Sequence, residues 1–108
     1  MNTTAATVIE KIKAELGQGR IARAVDVVYF ELDEMLLGGA GDDVGEVMRL
    51  MVVHELPLAI VFSALTISLP WRGGSPVSAR QELARYALAR AIENYGADDG
   101  ATMLRGLL

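Results

Sequence analysis

The chain has 108 residues, 52% of them hydrophobic and 6% aromatic, with a net charge of -4 and no cysteine. This length is typical of one domain with a single core, and so apolar a chain is not expected to be disordered. Without cysteine, disulfides and thiolate metal sites are excluded, and one histidine is too few for a His-rich cluster. We therefore expect a single domain over residues 1–108, with no cofactor and no metal.

The apolar segments do not fit a signal peptide or a membrane span. Acidic and basic residues are mixed between Glu10 and Glu15, unlike the charge order of a secretory signal. The longest charge-free stretch, residues 56–71, contains Pro57 and Pro70 near its ends. A helix between those prolines would span about 18 Å, whereas the hydrocarbon core of a bilayer is about 30 Å thick. We therefore expect a cytoplasmic protein that does not cross a membrane.

A first helix is predicted from about Thr4 to Leu16, where apolar residues recur at helical spacing. Thr3 or Thr4 could cap it, and Thr7 followed by Glu10 has the spacing of a capping box. Two nearby glycines supply the backbone freedom that ends a helix.

The second predicted helix, from about Arg20 to Leu37, has an apolar stripe and a charged face. The stripe comprises Ile21, Ala24, Val25, Val28, Tyr29, Leu32, Met35 and Leu36. The charged face comprises Arg20, Arg23, Asp26, Glu31, Asp33 and Glu34. Val27, Phe30 and Leu37 are apolar residues that fall inside this charged face, and they are the first candidates for a binding surface.

A third helix is predicted from about Asp43 to His54. Asp43 and Glu46 stand three residues apart, the spacing of a capping box, so Asp43 is the expected N-cap. The helix should end near His54, because Leu56 precedes a proline and such residues avoid the helical region.

A fourth helix, from about Pro57 to Ser68, is apolar on nearly every side, which predicts a position at the centre of the fold. Its β-branched residues leave a strand as the competing interpretation. The length of the run and the lack of a partner strand favour the helix.

A loop over residues 69–76 leads to a fifth helix that begins at Ser75 or Ser78 and ends near Asn94. Pro76 suits its first turn, and Gln81 could complete a cap with Ser78. A short sixth helix follows, with Asp98 or Asp99 as its N-cap. The sequence thus predicts an all-α fold, a compact bundle of five or six short helices around the central apolar helix at about 57–68.

The charge is distributed unevenly along the chain. Residues 24–71 carry one arginine and eight acidic groups, a net charge of -7, between two modestly basic segments. Such a layout can steer a basic partner or a symmetric self-contact. Nucleic-acid-binding domains are usually basic, so the overall isoelectric point near 4.9 argues against DNA or RNA as a ligand.

His54 beside Glu55 is the one pair that could perform acid–base chemistry. No serine or carboxylate stands at a spacing that indicates a catalytic triad, and a histidine at a helix end can simply bind the last carbonyls. We assign no catalytic residue and expect a non-enzymatic protein. The alternatives left open are a small enzyme using His54 and Glu55, or Asp33, and an acidic mimic of nucleic acid.

Exposed apolar residues are the main functional indication. An aromatic anchor inside a charged rim, as at Phe30, is typical of protein interfaces, although another helix of the same chain could cover it. A lone loop tryptophan, Trp71, could lock the loop to the core or contact a partner. The predicted partner-binding residues are Val27, Phe30, Asp33, Glu34, Leu37, Trp71 and Arg72. They indicate a protein-interaction module, an adaptor, regulator or inhibitor, and the apolar stripes also suggest a homodimer.

The stretch from Leu56 to Arg80 resembles short uncharacterised all-helical proteins of bacteria and their phages. The resemblance lies in Leu56-Pro57, Thr66-Ile67-Ser68-Leu69-Pro70-Trp71-Arg72 and Ser78-Ala79-Arg80. It implies a helical-hairpin fold and a bacterial or phage setting, and it brings no function with it.

Overall fold

A computed structural model describes residues 4–69 and 76–105, and these form six helices. The helices are α1 (Ala5–Gly17), α2 (Ile21–Leu37), α3 (Gly41–Val53), α4 (Leu58–Ile67), α5 (Pro76–Tyr95) and α6 (Ala97–Leu104). The all-α prediction is therefore confirmed, and the β-branched run that could have formed a strand is helix α4. None of the helices in the described ranges has the length and hydropathy that a membrane span requires.

Three successive corners, after α1, α2 and α3, share one hydrogen-bond pattern. In each corner the amide that follows a left-handed residue donates to a carbonyl five residues earlier, at 2.8–3.0 Å. This is the Schellman motif, which normally places glycine at the left-handed position. Gly19 and Gly39 occupy it with φ of 71° and 77°, whereas the third corner uses Glu55 at φ 49°. The strain at Glu55 is offset because the next residue, Leu56, is buried in the core.

Two helices share the centre of the bundle. Helix α4 packs between α2 and α5, and it buries Ile60, Val61, Ala64 and Leu65. Helix α3 contacts α1, α2, α4 and α5, so it is at least as central as the apolar helix that the sequence singles out. The reason is its position between the α1–α2 pair and α5, which a scan for hydrophobicity does not register.

The two predicted aspartate N-caps, of α3 and α6, are wrong. Helix α3 begins at Gly41 with Ala40 as its N-cap, so Asp43 lies in the first turn instead of capping it. Helix α6 begins after Gly96, whose φ of 89° makes the sharp turn from α5. Aspartates in a first turn still favour the helix because they face the positive end of its dipole. The expected partner of Asp43, Glu46, binds Arg49 at 2.9 Å instead.

The other helix starts are simpler. Thr4 caps α1, and its hydroxyl accepts a hydrogen bond from the amide of Thr7 at 3.2 Å. Helix α5 begins at Pro76, so Ser78 lies inside its first turn and the predicted Ser78 cap is wrong. The alternative start at Ser75 lies outside the described residues.

The C-terminal hairpin of α5 and α6 is packed through small residues. The side of α5 that faces the core consists mostly of buried alanines, Ala79, Ala84, Ala87 and Ala91, with Leu83 as its one fully buried large side chain among the described residues. A Cβ atom added at Gly100 would lie 2.8 Å from the carbonyl carbon of Ala91, so the two backbones meet there with no room for a side chain. Glycine at position 100 is therefore required by the close approach of α6 to α5.

Two side chains of α5 bind backbone carbonyls of neighbouring elements. The Arg80 guanidinium donates to the Ser68 hydroxyl and to the Leu65 carbonyl, both at 3.2 Å, and so stabilises the negative end of α4. The Tyr86 hydroxyl donates to the Leu56 carbonyl at 3.0 Å, beside the corner that follows α3. These bonds connect α5 to both ends of α4.

Candidate protein-interaction surface

Helix α2 separates its two faces sharply. Its inner face packs on α1, α3 and α4, and it buries Ala24, Val28, Leu32, Met35 and Leu36. Ile21 and Tyr29, which the sequence places in the same stripe, are exposed instead. Ile21 is the first residue of the helix and Tyr29 lies at the edge of the stripe, where neighbouring helices cover α2 less completely.

Two large apolar side chains stand on the opposite, solvent-facing side. Phe30 is 64% exposed and Leu37 is 74% exposed. They are seven residues apart, so they lie on the same side of α2, separated by about 10.5 Å along its axis. Among the described residues, no helix covers Phe30, in contrast to the interpretation in which another helix of the same chain buries it.

Charged residues surround this pair. Arg23, Asp26, Asp33 and Glu34 are all exposed and lie within about 60° of Phe30 on the helical wheel. We call these six residues, Arg23, Asp26, Phe30, Asp33, Glu34 and Leu37, the α2 outer face. Three acids and one arginine leave it with a net charge of -2. In the described ranges, none of its four charged side chains forms an ion pair.

The remaining predicted partner-binding residues do not join this face. Val27 is half-buried and packs against the core, so it supports the helix more than it presents a surface. Trp71 and Arg72 lie outside the described residues, as do Leu107 and Leu108. The part of the predicted partner-binding surface that the structure describes is thus a single face of α2.

Glu31 does not belong to the exposed charged face where the sequence places it. It is buried, and its carboxylate accepts a hydrogen bond from the Lys11 ammonium of α1 at 2.9 Å. Glu31 lies on the flank of α2 that α1 covers. The helical wheel of α2 alone cannot reveal which flank a neighbouring helix will cover.

The candidate catalytic residues are not brought together. His54 caps the end of α3 and is exposed, lining a shallow groove of about 170 Å³ with Glu10 and Lys13 of α1. In the part of the chain that the structure describes, no hydrogen bond or ion pair joins His54 to Glu55 or Asp33. Asp33 lies on the α2 outer face.

A second surface, which sequence reasoning missed, lies between α3 and α5. A groove of about 320 Å³ is lined by Arg49, Val52, Val53, Glu82 and Arg85, and Val53 is 71% exposed. A neighbouring groove of about 290 Å³ is lined by Gln81, Ala84, Arg85 and Leu88. Arg85 belongs to both. We call the two together the α3–α5 groove.

Acidic and basic side chains that stand one helical turn apart on α5 do not pair with each other in the described ranges. Glu82 and Glu93 stand three residues from Arg85 and Arg90, but neither pair forms an ion pair within the described residues. The Arg90 guanidinium lies over the Tyr86 ring instead, 5.8 Å from its centre. Burial raises the pKa of Tyr86, Arg90 opposes this, and the carboxylates of Glu55 and Glu93 add to the rise.

Comparisons with protein-family models, with curated proteins and with solved structures found no match. Within the described ranges, no group of three or more histidine, aspartate or glutamate side chains could hold a metal ion. The α2 outer face and the α3–α5 groove are therefore the features that bear on function.

Proposed function

We propose that this chain is a non-enzymatic protein-interaction module that binds a basic partner surface through the α2 outer face. The observation that carries the proposal is the exposure of Phe30 and Leu37 on a helix whose other side is buried in the core. Burying a large apolar side chain contributes about 1.5–3 kcal/mol, so both anchors would favour a complex strongly.

The rim specifies the chemistry of the partner. Asp26, Asp33 and Glu34 flank the two apolar anchors and are not neutralised by ion pairs among the described residues. A partner that offers an apolar pocket edged by lysine or arginine would complement this face in both shape and charge. Rim charges of this kind mainly raise the association rate, and salt weakens their effect.

Charge also disfavours a symmetric dimer through this face. If Phe30 met Phe30 in an antiparallel pair, Asp26 would face Glu34. If Phe30 met Leu37, Asp33 would face Glu34. Each two-fold arrangement places acids opposite acids, which costs affinity, so a heterologous partner fits better than a self-complementary one.

The module would act by occupying a partner surface, as an adaptor, regulator or inhibitor. The resemblance of residues 56–80 to helical proteins of bacteria and phages supports a bacterial or phage setting. The mixed acidic and basic residues between Glu10 and Glu15 support a cytoplasmic one. Neither changes the predicted geometry of binding.

The test compares capture by three forms of the protein from a bacterial extract. The double variant Phe30→Ala/Leu37→Ala removes both anchors, and Tyr95→Ala removes an exposed aromatic side chain at the end of α5. Circular dichroism checks that each variant folds. We expect the wild type and Tyr95→Ala to retain the same protein and the double variant to lose it.

A photo-crosslinking residue at position 33 then locates the contact. It should crosslink to the captured protein next to lysine or arginine, and association should slow as salt is added. Capture that is equal for the wild type and the double variant, with no crosslink from position 33, would refute the α2 outer face as the binding surface.

A further inference from the structure

We infer that the α3–α5 groove of one copy accepts the α2 outer face of a second copy, head to tail. This inference rests on the proposed function, because it uses the same α2 face and names a ligand that competes for it. The contact would regulate the module: a copy whose α2 face is occupied by another copy cannot bind its partner.

The groove has the apolar floor that the α2 anchors require. Val53 is 71% exposed at the end of α3, and half-buried Val52 and Leu88 continue the apolar lining. The larger part, about 320 Å³, lies at the lower end of the range for ligand pockets, about 300–1,000 Å³. That volume is large enough to accept one large side chain, such as Phe30.

The charges of the two surfaces are opposite in sign. Arg85 stands between the two parts of the groove and forms no ion pair among the described residues, so it can meet the carboxylates of Asp33 or Glu34. Arginine binds carboxylates in a forked, two-bond geometry. The groove also carries one acid, Glu82, and the α2 outer face carries one base, Arg23. These two charges are opposite in sign and could likewise pair across the contact.

Arg49, the second cation of the groove, is held only loosely. It binds Glu46 at 2.9 Å, and both side chains are about half exposed to solvent. Exposed ion pairs contribute little to stability, so Arg49 can turn to an incoming carboxylate at little cost. The groove can therefore supply two arginines to the acidic rim.

The contact joins two different surfaces, and this determines its symmetry. The α2 outer face and the α3–α5 groove lie on different helices, so a bound pair keeps one free surface of each kind, the groove on one copy and the α2 outer face on the other. Head-to-tail contacts of this type form rings when the rotation closes and open chains when it does not. Self-association would thus extend beyond a dimer as the protein concentration rises.

The experiment uses two full-length variants that each lose one surface. Phe30→Ala/Leu37→Ala disables the α2 outer face, and Val53→Asp/Arg85→Glu disables the groove. All four positions are exposed. Circular dichroism serves to check that each variant folds. The single change Arg85→Glu serves as a milder groove variant, and Tyr95→Ala serves as the control.

Sedimentation velocity over a range of concentrations reads out the assembly. We expect the wild type and Tyr95→Ala to form dimers and larger species, and each double variant alone to be monomeric. An equimolar mixture of the two double variants should form a 1:1 dimer that grows no further, because only one intact surface of each kind remains. Arg85→Glu alone should weaken self-association by about tenfold or more.

Several outcomes would overturn the inference. A wild type that stays monomeric at high concentration, or a mixture that stays monomeric, excludes the head-to-tail contact. A groove variant that still dimerises shows a symmetric contact through α2 instead. If the wild type is monomeric but the groove variant still captures the partner through α2, the inference fails and the proposed function stands. If the mixture dimerises but partner capture does not depend on Phe30, the proposed function fails instead.

Discussion

Helices α2 and α5 are the two longest of the bundle, and they pack in opposite ways. The inner face of α2 is made of large side chains such as Leu32 and Leu36, which keep its neighbours at ordinary distances. The inner face of α5 is made mostly of alanines, and α6 approaches until its Gly100 meets the α5 backbone at Ala91. On its outside α2 carries the exposed anchors Phe30 and Leu37, whereas α5 carries Arg85 and lines the α3–α5 groove.

The difference shows how one small bundle can form two unlike surfaces. A helix that fills the core with bulky side chains needs few polar bonds to its neighbours. Among the described residues, the side chains of α2 form one such bond, between Glu31 and α1. A helix with an alanine face buries less apolar area for each residue. Helix α5 adds hydrogen bonds from Arg80 and Tyr86 to neighbouring carbonyls. Changes on each of the two sides of the molecule test this contrast between α2 and α5.

The largest expected effect is on the inner face of α2. Leu32 is fully buried, so Leu32→Ala should lower the free energy of unfolding by about 2–5 kcal/mol through lost burial and a residual cavity. Leu37→Ala removes the same atoms from a side chain that is 74% exposed, and it should change stability by about 0.5 kcal/mol or less. Urea unfolding measures both. Equal losses would mean that α2 does not have one buried and one free face.

The second effect tests the close contact of α5 with α6. The Cβ atom of Gly100→Ala would lie 2.8 Å from backbone atoms of Ala91 and Ile92, which cannot move aside as a side chain can. We expect a loss of about 1–3 kcal/mol and faster hydrogen exchange throughout α6. Gly17→Ala is the matched control, since no atom lies near its Cβ position, and it should leave stability unchanged or raise it. A stable Gly100→Ala variant would contradict the backbone contact.

The third effect compares the corner at the end of α2 with the corner beside α5. Gly39→Ala places a Cβ atom in the left-handed region and should lower stability by about 1 kcal/mol. Glu55→Gly relieves that strain at the equivalent position and should raise stability by about 0.5–1 kcal/mol. Thermal unfolding measures both changes. A loss on Glu55→Gly would show that the Glu55 side chain stabilises the fold in a way that the corner geometry does not explain.

The smallest effect is a pH dependence on the α5 side. Because folding raises the pKa of Tyr86, the native state holds the phenol proton more tightly than the unfolded chain does. The resulting stabilisation is complete below the ordinary pKa of 10.0 and is lost as the pH rises through the folded value. Tyr86→Phe should therefore reduce the decline of the unfolding free energy in alkaline solution, and Tyr29→Phe on α2 should not. An identical decline in all three proteins would exclude this role for Tyr86.

The helices themselves were predictable from the sequence, because apolar spacing indicates their extent and a glycine or a proline stands near most of their ends. The N-caps of the helices were less predictable. An aspartate near a helix start favours both the N-cap and the first turn, and Ala40 and Gly96 take the caps that Asp43 and Asp98 were expected to fill. Local sequence does not decide between positions that differ by so little energy.

The candidate surfaces depend on which helices become neighbours. Phe30 lies among charges in the sequence, but only the packed structure shows that no described helix covers it. Glu31, one residue further on, was expected to be exposed and is covered by α1. The α3–α5 groove brings Val53 and Arg85 together from distant positions, so no local pattern could have indicated it.

The three corners of matching geometry also bear on how fast the chain folds. Each joins consecutive helices through a few residues, and α1 with α2, α2 with α3 and α5 with α6 are all in contact. Helical bundles generally have a low contact order and fold in microseconds to milliseconds. The slower events should be the pairings that skip a neighbour, α1 with α3, α2 with α4 and α3 with α5. The groove between α3 and α5 would therefore be among the last features to form as the polypeptide reaches its native state.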